Sequence, residues 1–144
     1  MAGYSGTPLP KKLGIKDGTR LALVGQPMGF GETLGEIPGA VDLVEDGERA
    51  DVIVCFVEHP EDVRARLSEL KPRLEWTGGL WFAWRKRRPG FTPTLDENTI
   101  RELGLESGLV DNKVCAIDDE WSGLRFVWRI EDRPAKGKFV RRAP

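Results

Sequence analysis

The sequence predicts a three-layer α/β fold: a mostly parallel sheet with helices on both faces and an antiparallel hairpin at its C-terminal end. Three observations predict it. The apolar segments at residues 20–24 and 51–57 each lead into a stretch of helical character, the alternation that builds parallel sheets. The second of them, Asp51 to Val57, is apolar almost without interruption, as strands covered on both faces are. Near the end of the chain, residues 109–118 and 124–130 read as strands joined by Glu120-Trp121-Ser122-Gly123, a link short enough for a hairpin.

The elements follow in order. Residues 1–17 are rich in Gly, Pro and Lys, with turns expected at Gly3, Gly6, Pro8 and Pro10, and read as an irregular arm. A single α/β domain follows over 18–132. Arg20 to Val24 is its first strand, opening into Gly25-Gln26-Pro27-Met28-Gly29-Phe30-Gly31 and a weakly helical segment from Glu32 to Ile37. Val41 to Val44 is a brief second strand, and Asp51 to Val57 a central third. Pro60, Glu61 and Asp62 suit a helix start, and Val63, Leu67, Leu70 and Leu74 form one apolar stripe, so a helix is predicted to about Leu74. Gly78-Gly79 is read as a turn into the aromatic strand Leu80 to Trp84. Thr94-Leu95-Asp96-Glu97 has the spacing of a capping box for a helix ending at Gly104. Residues 133–144 carry five cations and form a flexible basic tail.

Composition narrows the function classes. Of 144 residues 22 are basic and 23 acidic, a net charge of -1, which argues against a dedicated nucleic-acid or membrane-surface protein. Cys55 and Cys115 lie inside apolar runs and read as reduced thiols packed as small hydrophobes, with no metal site suggested. No apolar run approaches a membrane span and residues 1–12 hold no signal-peptide core, so a cytoplasmic protein is expected.

Several residues are candidates for chemistry, each with a plainer structural account beside it. Gly25, Gly29 and Gly31 follow a strand at a spacing that resembles the dinucleotide loop of short-chain dehydrogenases, where backbone amides reach a pyrophosphate. The Tyr-x-x-x-Lys pair of those enzymes is missing, and Pro27 removes one amide, which leaves the glycines as turn residues or as a remnant phosphate site. Glu45 follows the second strand, where nucleotide-binding sheets place a ribose-binding carboxylate, or it is one acid of a solvated turn. His59, the single histidine, ends a strand where a ligand crevice would lie, or merely enters a helix. Arg85-Lys86-Arg87-Arg88 stands at a strand's C-terminal end, where such sheets bind anions, with Lys86 the leading candidate. Asp111, Lys113, Trp121 and Ser122 are polar or aromatic groups of the hairpin that can converge on a ligand or serve the sheet alone.

Two resemblances extend this reading. Residues 3–15, Gly-Tyr-Ser-Gly-Thr-Pro-Leu-Pro-Lys-Lys-Leu-Gly-Ile, and 109–118, Leu-Val-Asp-Asn-Lys-Val-Cys-Ala-Ile-Asp, followed by Trp121-Ser122-Gly123-Leu124-Arg125, resemble the bacterial family of unknown function catalogued as DUF3052. That resemblance implies no catalytic residue. The order of Asp51 to Val57, Gly78-Gly79, the aromatic strand and the final hairpin is similar to the second half of class I S-adenosylmethionine methyltransferases. It implies a reduced, Rossmann-like sheet lacking one αβ unit, because only one brief strand separates the glycine turn from Asp51.

The function expected from these features is a non-catalytic or regulatory module that binds a small anionic ligand or a protein partner at the C-terminal edge of the sheet. No cofactor is required, although S-adenosylmethionine or a nucleotide fits the fold. A protein-binding role would expose an aromatic patch drawn from Trp76, Trp81 or Trp121. The alternatives are a diminished methyltransferase and, last, a weak nucleic-acid binder acting through Arg85 to Arg88 and the tail. Oligomeric state is left open.

Overall fold

The structure, a computed structural model, describes residues 6–134. The turn expected at Gly3 and the basic tail from residue 135 onward lie outside the described residues. Six strands, β1 (Arg20–Val24), β2 (Asp42–Leu43), β3 (Ala50–Phe56), β4 (Leu74–Arg85), β5 (Leu109–Ala116) and β6 (Trp121–Trp128), form one sheet in the order β2-β1-β3-β4-β6-β5. β1 to β4 run parallel, and β6 is antiparallel to both neighbours. Helices α1 (Leu9–Leu13) and α2 (Phe30–Leu34) cover one face, and α3 (Pro60–Leu70) and α4 (Glu97–Glu106) cover the other. This is the mostly parallel, three-layer, Rossmann-like sheet with a closing hairpin that the sequence predicts.

The continuous apolar character of β3 has the expected cause. It lies between two parallel neighbours, and its side chains enter both cores: Ile53 and Cys55 pack under α3 and α4, and Val52, Val54 and Phe56 under α1 and α2. Six residues, 44–49, join β2 to β3 without a helix, which is the shortened first half.

Several boundaries move, each for a physical reason. The arm is not wholly irregular: residues 9–13 are helical, Gly14 ends the turn at φ 86°, and Leu9, Leu13 and Ile15 enter the core. The buried Trp81 indole N–H donates to Leu13 O at 3.0 Å and ties α1 to the sheet. α3 stops at Leu70, because Pro72 in the following 3₁₀ turn cannot donate the amide that another α-turn needs. Gly78-Gly79 is no turn but the interior of β4, where the glycines permit two close approaches. A Cβ on Gly78 would stand 2.5 Å from Asp51 O, and one on Gly79 2.3 Å from Arg125 Nε. The cap of α4 is Asp96, whose Oδ1 accepts from Thr99 N at 2.8 Å, not Thr94. Gly104 lies inside that helix against the ring of Phe126 rather than ending it. Asn112 is the extra residue of a bulge in β5, so Asp111 and Lys113 meet partners on opposite faces of the sheet.

Candidate functional site

The chain passes from β1 to β2 on one side while β3 lies on the other, so the crevice where sheets of this kind bind ligands opens at the C-terminal ends of β1 and β3. Gly25 crosses this point at φ 67°, and a Cβ there would stand 3.1 Å from Phe56 O. Gly29, at φ 87°, precedes α2, and Gly31 is its second residue with open space beside it. Beneath the turn runs a line of aromatic rings. Phe30 meets Phe56 edge-on at 4.9 Å, and Phe56 meets the buried Trp121 edge-on at 4.9 Å.

Three of the four cations at this edge, Arg85, Lys86 and Arg88, are held by their own surroundings. Arg85 lies over Trp121 at 4.5 Å, pairs with Glu58 at 3.1 Å, and also pairs with Glu120. Lys86 Nζ donates to Asp118 O at 2.7 Å, and its backbone N–H to Glu120 O at 2.8 Å. Arg88 stacks on Phe91 at 5.3 Å. The hairpin link that receives these bonds is itself fixed, because Asp118 Oδ1 accepts from the amides of Glu120 and Trp121, each at 2.8 Å.

Beyond β3, a cleft of about 190 Å³ is lined by residues 57–59, Arg85 and residues 91–95, and none of the three glycines reaches it. His59 and Thr94 form its polar wall. Thr94 Oγ1 donates to Glu58 O at 2.7 Å and lies 3.1 Å from His59 Nδ1. The hydroxyl has a single proton, given to the carbonyl, so Oγ1 presents a lone pair to His59 Nδ1.

The other candidates lie apart. Glu45 belongs to a turn at the opposite edge, where Arg73, just ahead of β4, donates to Glu48 O at 2.6 Å and Glu45 O at 3.2 Å. Asp111 accepts from Arg101 Nε of α4 at 2.9 Å, while Lys113 Nζ donates to Lys12 O beside α1 at 3.1 Å. Ser122 sits at the start of β6 between Trp84 and Ala116. The structure therefore gathers Gly25, Gly29, Gly31, Lys86, Trp121 and Ser122 at the C-terminal edge with His59, and leaves Glu45, Asp111 and Lys113 elsewhere. Trp81 and Trp121 are core residues, so they form no exposed aromatic patch.

A second cavity was not legible in the sequence. About 750 Å³ in volume, it lies on the α1 side towards the N-terminal ends of β1 and β3, lined by Lys11, residues 14–19, Asp51, Val52, Thr77 and Arg125. The one signal for it was a charge, Arg125, between Leu124 and Phe126 in a strand facing a glycine pair. Burial pushes the Cys55 thiol up to about 12 and raises that of Cys115 as well. No helix among the described residues is long and apolar enough to cross a membrane.

The fold and its crevice define an α/β sheet of the methyltransferase type. A methyltransferase from Aquifex aeolicus, described as dependent on S-adenosylmethionine, superposes with a TM-score of 0.56 at 16% identity, over 81% of this chain and 85% of that one. The magnesium protoporphyrin IX methyltransferase of Synechocystis PCC 6803, with bound S-adenosylmethionine, gives 0.54 at 15% identity over 84% and 74%. The fibrillarin of Aeropyrum pernix, with natively bound S-adenosylmethionine, gives 0.53 at 15% over 87% and 70%. At these identities the likeness is one of fold. No family model and no curated protein matches the chain.

Proposed function

We propose that this protein is a binding module on a methyltransferase-type sheet, not a methyl-transferring enzyme, and that it takes a small hydroxy- or amino-carboxylate beside His59, Thr94 and Arg85. One observation carries the reading: the cleft at the ligand edge has about 190 Å³ and stops short of the glycine turn. Ligand sites ordinarily span about 300–1,000 Å³, so S-adenosylmethionine does not fit this cleft. The glycine turn offers no second route, because Pro27 lacks an amide, α2 has five residues, and Phe30 and Phe56 fill the space beneath. What the cleft offers is the ring of His59 near Arg85, whose Nε and Nη1 are held by Glu58 and Glu120 and whose Nη2 has no acceptor among the described residues. A small anion with an adjacent hydroxyl or amine matches that pair.

Titration calorimetry tests this directly. S-adenosylmethionine and its demethylated product should give no heat at millimolar concentration, and a panel of small hydroxy and amino acids should yield a binder that Thr94→Val weakens. A micromolar constant for S-adenosylmethionine would overturn the proposal in favour of the second reading, a diminished methyltransferase, which the folds of the superposing enzymes favour.

A further inference from the structure

The larger cavity lies at the edge that the proposed function does not use, and a half-buried arginine without a carboxylate partner among the described residues lines it. Arg20, Arg49, Arg85 and Arg101 each pair with at least one carboxylate. Arg125 pairs with none among the described residues. Its guanidinium lies across β4 in the space that Gly79 leaves free, and its hydrogen bond is to Asn112 Oδ1 at 3.3 Å. Burial, and then the charge of Arg133, pull its proton affinity below the ordinary arginine value, yet an arginine stays charged. A half-buried cation with most of its five donors unused thus lines a cavity of about 750 Å³.

The surrounding groups add to that charge. Lys11 and Lys16 line the same space, and neither ammonium has a partner among the described residues. The lining also holds two acids, so its three cations leave it one positive charge in excess. Asp51 accepts from the backbone N–H of Arg20 at 2.9 Å and faces its guanidinium, and Asp17 accepts from Ala40 N at 3.4 Å. Thr19 Oγ1 accepts from Lys16 N at 3.0 Å, which leaves its proton to donate, and Thr77 supplies a second hydroxyl. Lys12 and β5, far apart in sequence, meet beside this wall, where Lys113 Nζ donates to Lys12 O at 3.1 Å.

We propose that this cavity binds a small molecule through an oxyanion head group, carboxylate or phosphate, gripped by the planar fork of Arg125, with Thr19 and Thr77 donating and Lys11 and Lys16 neutralising charge. The volume lies within the range of ligand sites, and an oxyanion restores the solvation that Arg125 loses on burial. Gly79 is then a functional requirement as well as a packing one, since any side chain there displaces the guanidinium.

The test is a heteronuclear NMR titration of the full chain with citrate and, separately, inorganic phosphate, at constant ionic strength. Saturable shifts at the Arg125 Nε–H and the amides of residues 14–19 and 77–79 are expected. Arg125→Gln should weaken binding by about tenfold or more, the loss of a charge-assisted contact, while Arg64→Ala on the opposite face should leave it unchanged. Where Arg125→Gln does not fold, Lys16→Ala at the exposed rim serves, with a loss of about threefold. Saturation by citrate alone assigns a carboxylate ligand, and by phosphate alone a phosphorylated one. No saturable shift with either probe, wild-type affinity in Arg125→Gln or in Lys16→Ala, or shifts centred on His59 and Thr94 overturns the proposal. The last outcome would leave the C-terminal-edge reading standing, so the two fail separately.

Discussion

Replacing Gly104 by alanine sets two effects of known size against each other. In a helix interior alanine is favoured over glycine by about 1 kcal/mol, and on an open helix face the substitution would stabilise. Gly104 is not on an open face. A Cβ there would stand 2.0 Å from Phe126 Cε1, and Phe126 is fully buried, edge-on to Phe82 at 6.0 Å, on a strand paired on both sides. The ring has nowhere to retreat, so overpacking falls at the upper end of its usual range, about 2–3 kcal/mol, and outweighs the helical gain. Gly104→Ala should therefore lose about 1–2 kcal/mol, and melt about 3–6 °C lower. Gly31→Ala is the matched control: it is helical, has nothing within 4 Å of its Cβ position, and should be neutral or slightly stabilising. Urea unfolding of both variants with unchanged slopes is the assay. A Gly104→Ala protein as stable as the wild type would refute the close seating of α4 on β6.

Three further outcomes follow from buried groups. Glu75 bridges Arg49 and Arg20 where the sheet begins, and Glu75→Ala, leaving charge buried without its partner, should cost about 3–5 kcal/mol in urea unfolding; a loss below about 1 kcal/mol would contradict it. Trp81→Phe keeps one aromatic ring but removes the pyrrole half of the buried indole with its bond to Leu13 O, so it should cost about 2–4 kcal/mol and speed amide exchange around residues 9–15, whereas unchanged exchange would mean α1 is held by other contacts. Burial raises the Cys55 thiol from 9.0 to about 12. The unfolded chain then loses this proton first, so the stabilisation is whole below pH 9 and falls as pH rises towards 12, by up to about 1.4 kcal/mol per pH unit. Cys55→Ala should flatten that slope in denaturation series across this range, and an unaltered slope would assign the effect elsewhere.

What the amino-acid sequence by itself determined is the architecture, because periodicity reports burial directly. The nearly continuous apolar run at 51–57 pointed to a strand covered on both faces, and the stripe Val63, Leu67, Leu70 and Leu74 to a helix lying on a sheet, although Leu74 itself opens β4. The glycine turn and His59 were legible as edge residues because each follows a strand. The tertiary structure alone decided what glycines and charges do, since their roles depend on neighbours distant in the chain. Gly78-Gly79 has the local signature of a turn, and only the nearness of Asp51 and Arg125 makes it strand interior. Leu9 and Leu13 look like part of a polar arm until Trp81 and β1 supply a surface for them. Arg125 and Lys16 are 109 residues apart, and it takes the folding of the N-terminal segment over β4 to bring them to one cavity. Short-range pattern encodes which face a residue presents; long-range contact encodes what it meets there.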